Sequence, residues 1–80
     1  MLQELTCANK VVGMKQSKKA ILAGRAAKVY VARDCDPQIR DMFAELCDSA
    51  EVPVNEESTL TQLGKACGIH VGAAVVTLLK

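Results

Sequence analysis

The sequence predicts an α/β protein, a three-layer α/β/α sandwich on a mixed sheet of about four strands. Three observations lead there. Segments of helical period alternate with short β-branched runs along the chain. Two runs, KVYVA at 28–32 and AAVVTLL at 73–79, are apolar without alternation, as strands covered on both faces are. The 80 residues are enough for one domain, 1–80, with one core. At that size only about 60% of the unfolded surface can be buried, so every element must serve the same core.

Taken in order, LQELTCA reads as a short, weak helix with Leu2 and Leu5 as its apolar contacts and Asn9 as its stop. KVVG is a strand running into a glycine turn. From Met14 to Ala23 the period is helical, with Met14, Ser17, Ala20 and Ile21 on one side and Lys15, Lys18 and Lys19 on the other. Leu22 falls among the lysines, and Gly24 ends the helix. After the KVYVA strand, Asp36 before Pro37 is a strong helix start: a capping carboxylate, then a residue whose missing N–H costs nothing in the first turn. That helix places Ile39, Met42, Phe43, Leu46 and Ala50 on one face, with Asp41, Glu45 and Asp48 toward solvent. VPVNE is a short strand whose Pro53 marks an edge or a beginning. Thr59 with Gln62 forms a capping box for a helix over Leu60–Cys67, ended by Gly68. Crossover connections between such strands give a mainly parallel or mixed sheet with helices on both sides.

Composition excludes several classes. Half the residues are hydrophobic and 24% are charged, which is globular rather than disordered. No run approaches the roughly 18 apolar residues of a membrane span, and the N-terminus lacks the basic-then-apolar order of an export signal. The cysteines (Cys7, Cys35, Cys47, Cys67) include no CxxC pair and read as reduced, mostly buried residues of a cytoplasmic protein. With His70 the single histidine, the expectation is no metal, no cofactor, no small-molecule substrate and no catalytic residue. Cys67 and His70 are close in sequence, but Gly68 breaks the helix between them and no third group orients them.

The charges are segregated. Seven bases and no acid lie between Lys10 and Arg33; eight acids and one base, Arg40, lie between Asp34 and Glu57. A net charge of +1 thus conceals an anion-binding surface if the two blocks occupy different faces. Within the basic block, GMKQSKKA at 13–20 is a glycine turn and then a helix start bearing Lys15, Gln16 and Lys19. Helix-start N–H groups and lysines favour a phosphate or an electronegative base edge. Gln16 both donates and accepts, as base-edge readout requires. A solvated lysine face accounts for the same residues, and the pattern alone leans slightly to it. A second segment, LGKACGIHVGAA at 63–74, sets Ile69, His70 and Val71 between two glycines, at the tip of a tightly shaped loop or buried within it. Tyr30 and Phe43 are both expected inside, which disfavours binding of single strands by aromatic stacking.

GMKQSKKAI, KVYVARDCDP and LGKACGIHVGAAVV in this order resemble the kink-turn RNA-binding ribosomal protein family, the "L-seven-Ae" and "L-thirty-e" group, and its short bacterial members in particular. The resemblance spans essentially the whole chain and implies an α/β/α sandwich that binds a kink-turn, a sharply bent helix–internal loop–helix RNA with tandem sheared G·A pairs. It implies that Gly13, Lys15, Gln16 and Lys19 enter the groove at the G·A pairs, with Met14 and Lys18 beside them, and that Ile69, His70 and Val71, with Lys65 nearby, cover the flipped-out nucleotides. Where well-known archaeal and eukaryotic members carry Asn-Glu, this chain carries Lys15-Gln16, so shape is expected to count for more than sequence. The partners implied are structured RNA and, as a setting, the ribosome; a monomer is expected, with no membrane association. The alternative is a protein-interaction module that uses the acidic helix at 36–49 to dock a basic partner.

Overall fold

The computed structural model describes residues 9–69 and 72–80, so the expected first helix, LQELTCA, lies outside the described residues. The elements run β1 (Lys10–Val12), α1 (Met14–Leu22), β2 (Ala26–Val31), α2 (Pro37–Ala50), β3 (Val54–Asn55), α3 (Leu60–Ala66) and β4 (Val75–Leu79). The strands form a four-stranded sheet in the order β1-β4-β2-β3. β4 inserts between β1 and β2 and is antiparallel to both, while β2 and β3 are parallel. The sheet is therefore mixed, with more antiparallel than parallel pairing, because the last strand returns through the middle. Pro53 immediately precedes the edge strand β3, where its missing donor breaks no ladder, and its carbonyl accepts from Val29 N at 2.9 Å.

The register sorts side chains to two faces. Val11 lies opposite Thr77 on one face; Lys10 and Val12 lie opposite Leu78 and Val76 on the other. α1 packs on β1, β4 and α2, and its Gln16, Lys19 and Ala20 line a groove with Val11 and Leu79. It thus covers the Val11–Thr77 face. α3 joins the same core through Leu63, which is fully buried among the sheet residues. Val75, Val76, Thr77 and Leu78 are buried in succession, as a strand covered on both faces must be.

Phe43 of α2, Leu63 of α3 and Val29, Val75 and Val76 of the sheet are fully buried at the centre, each contributing about 1.5–3 kcal/mol of transfer free energy for the larger side chains. Asp36 caps α2, its carboxylate accepting from Gln38 N at 2.8 Å, and Pro37 follows. The apolar face of α2 is narrower than its spacing predicts. Phe43 and Cys47 are buried and Ile39 and Leu46 half-buried, whereas Met42 is 37% exposed and Ala50 is exposed. Because α2 rests on both α1 and β2, its contact line follows Phe43–Cys47 and leaves Met42 at the margin. β2 begins two residues earlier than KVYVA implies, and α3 ends at Ala66 with Cys67 as its C-cap.

Candidate nucleic-acid interface

Gly13 turns the chain from β1 into α1 in a single residue. Its φ of 106° and ψ of 160° lie in a region that essentially only glycine enters. Its carbonyl accepts the first helical hydrogen bond from Ser17 N, and its own N–H donates to Val75 O at 2.9 Å. The start of α1 is thereby tied to the start of β4.

No side chain caps α1, and its first turn holds no acid. Lys15 and Gln16 sit there instead, both exposed. A helix N-terminus carries partial positive charge, so a lysine in the first turn is locally unfavourable and the end is open to an anion. The contrast lies within the same molecule: α2 starts on Asp36, and α3 starts on a complete capping box between Thr59 and Gln62.

The exposed polar side chains of α1 divide. Gln16 and Lys19 line a groove of about 390 Å³ between α1 and the β1–β4 edge. Lys18 lines a different groove together with Glu45 and Asp48 of α2. Met14 is 44% exposed at the helix start.

The second segment follows α3. Gly68 takes a left-handed φ of 75°, and Ile69 N donates back to Gly64 O at 3.0 Å, leaving the Ile69 side chain 36% exposed. His70 and Val71 lie outside the described residues. The chain then hugs the start of α3: Ala73 N donates to Leu60 O at 3.1 Å, and a Cβ on Gly72 would come within 3.0 Å of Leu60 Cβ. Ala74 O accepts from Ala32 N at 2.8 Å, and the next residue is Val75, which binds Gly13. Gly13 and the start of β4, at Ala74 and Val75, therefore meet at one end of the sheet. Lys65, in the last turn of α3, is exposed and also complements that helix's negative end.

Two further exposed bases stand at opposite ends of β2, Arg33 near the start of β4 and Arg25 beside its end at Lys80. Arg33 is exposed at the end of β2, beside the Ala32–Ala74 hydrogen bond, with its N–H donating to Ser58 O. Arg25 lines the groove with Gln16 and Lys19. Both belong to the acid-free basic block, the one signal that marks them.

The three described cysteines do not resemble activated nucleophiles. Burial pushes the Cys67 thiol up, and Lys10 offsets this only in part; a reactive thiol needs the opposite shift. Cys35 and Cys47 are buried, unpaired and raised for the same reason. Among the described residues no three His, Cys, Asp or Glu side chains cluster to hold a metal ion, and no helix is long and apolar enough to cross a membrane.

The model of the ribosomal protein L7Ae/L30e/S12e/Gadd45 family matches residues 3–80. The chain belongs to this family. Within it, the chain is 46% identical over 70 residues to an RNA-binding protein of Geobacillus sp. (strain WCH70), covering 88% of this chain and 85% of that protein. It is 41% identical over 70 residues to the RNA-binding protein YbxF of Geobacillus stearothermophilus, with the same coverage. A Giardia lamblia 15.5kD RNA binding protein superposes with a TM-score of 0.86 at 26% identity, over 99% of this chain and 68% of that one. A Bacillus halodurans protein of unknown function shares the fold at a TM-score of 0.91 and 23% identity, over 99% of this chain and 83% of that one. The L7Ae-family match takes in both glycine-flanked segments.

Proposed function

We propose that this L7Ae-family protein binds RNA without catalysing a reaction, and that its ligand is a kink-turn whose bend it stabilises. One observation carries the reading: α1 alone among the described helices starts on an uncapped glycine followed by Lys15 and Gln16, and that glycine is bonded to Val75 at the start of β4. The relatives named as RNA-binding proteins support the ligand class. In this reading Lys15, Gln16 and Lys19 meet the sheared G·A pairs, and Ile69 packs against unstacked nucleotides. Buried Tyr30 and Phe43 leave shape and polar contacts, rather than aromatic stacking, to recognise the RNA. The protein acts in the cytoplasm, with ribosomal RNA as a candidate target.

A gel-shift titration of a kink-turn RNA against a straight duplex of equal length tests the proposal. The kinked RNA should bind more tightly at moderate salt, and Gln16→Ala should cost about 1–3 kcal/mol on it while leaving the straight duplex unaffected. Equal binding of both RNAs sinks the reading, since phosphate neutralisation alone does not discriminate between them.

A second reading draws on α2, where Met42 is exposed beside Glu45 and Asp48 at a groove of about 510 Å³. In it the acidic helix docks a basic protein. Reversing the charges of Asp41, Glu45 and Asp48 then abolishes function while RNA affinity stays intact.

A further inference from the structure

The fold scatters the seven bases of the Lys10–Arg33 block. Lys10 lies opposite Leu78 on the face of the sheet away from Val11. Lys28 lies over the Tyr30 ring at 5.0 Å from its centroid. Lys18 shares a groove with Glu45 and Asp48. Lys19 and Arg25, in contrast, converge with Gln16 on one groove floored by Val11 and Leu79. Two other grooves carry carboxylates, Glu45 and Asp48 in one and Asp48 and Glu56 in the other. This one carries none.

The backbone holds Arg25 in place from two directions. Gly24, at φ 71°, lets the chain turn back so that Arg25 N donates to Ala20 O at 2.9 Å, and Arg25 O accepts from Lys80 N at 2.9 Å. The side chain remains exposed. A guanidinium on a fixed backbone presents a planar fork that matches two phosphate oxygens. Along α1, Gln16 to Leu22 spans about 9 Å of helix axis. A strand that touches Gln16 in the first turn therefore reaches Arg25 more than one phosphate further along.

We infer that Arg25, together with Lys19, forms a phosphate track along the α1 groove, holding the backbone of one RNA strand as it leaves the bend. The inference rests on the RNA-binding reading above and extends its contact zone from Lys19, which that reading sets at the G·A pairs, to Arg25 at the far end of the groove. Arg25 discriminates no sequence in this role. It lengthens the interface along one stem.

The test is the salt dependence of kink-turn RNA binding for the wild-type chain, Arg25→Gln, Arg25→Lys and, as a control of equal charge, Lys28→Gln. Arg25→Gln should lower the slope of log affinity against log salt by about 0.7–0.9 and weaken binding several-fold at low salt. The preference for kinked over straight RNA should not change. Arg25→Lys should restore the slope, and Lys28→Gln should leave it at the wild-type value. Shortening one stem by a few base pairs should weaken the wild type but not Arg25→Gln. A thermal melt of each variant establishes that it is folded. A wild-type slope in Arg25→Gln, or an equal drop in Lys28→Gln, overturns the track. If the wild-type chain shows no preference for kinked RNA, the kink-turn reading fails instead, and the same slopes measured on straight duplex still decide whether Arg25 binds phosphate.

Discussion

Gly13 holds a conformation closed to side-chain-bearing residues, and the geometry of α1 depends on it. An ideal Cβ added there meets nothing within 4 Å, so the cost of a substitution is one of backbone strain alone. Gly13→Ala and Gly13→Ser should each lose about 1–3 kcal/mol in urea unfolding, and by the same amount. A markedly larger loss for serine would reveal a steric clash and rule out pure backbone strain. The importance of Gly13 was legible in GMKQSKKA, because a chain that leaves a short apolar strand and enters a helix at the next residue needs a backbone angle that glycine supplies. Arg25 was not legible. Its relation to Gln16 depends on the Gly24 turn and on β4 lying alongside, and neither is a property of local spacing.

Helix starts show how local chemistry and tertiary placement divide the work. α3 has seven residues, too few to persist alone, so its ends must be satisfied by neighbours. Thr59 accepts from Gln62 N at 3.2 Å, Gln62 Oε1 accepts from Thr59 N at 2.9 Å, and Asp34 accepts from Leu60 N at 2.8 Å. Thr59→Ala should therefore cost about 0.5–2 kcal/mol in thermal or urea unfolding. No change in the midpoint would mean that Asp34 and water suffice. The capping box could be read from the three-residue spacing of Thr59 and Gln62. Asp34 could not, since 26 residues separate it from the N–H it serves. α1 is the counter-case, with a lysine and a glutamine where caps and acids would stabilise. This is the kind of local cost that a ligand-binding end incurs.

At the scale of the whole molecule, the core carries a pH signature. Burial raises the thiols of Cys35, Cys47 and Cys67 above their ordinary value of 9.0. Below that pH the folded and unfolded thiols are both neutral and their contribution is constant. Above it the unfolded chain ionises first, so stability falls as pH rises from about 9 toward the raised folded values. The urea midpoint should drop between pH 8 and pH 10, and drop less in Cys47→Ala, whose wild-type thiol is 1% exposed. An equal drop in the variant would show that Cys47 does not contribute. The alternation of elements, the both-faces-buried character of β2 and β4 and the capped starts of α2 and α3 were all settled by residue order, because periodicity, caps and turns act over a few residues. The strand order β1-β4-β2-β3, the narrowed face of α2 and the dispersal of the basic block were settled only when the chain folded, because each depends on which distant segment packs alongside. The bases of the Lys10–Arg33 block end up on different elements, and hydrogen bonding between Gly13 and Val75 ties the glycine turn to the start of β4.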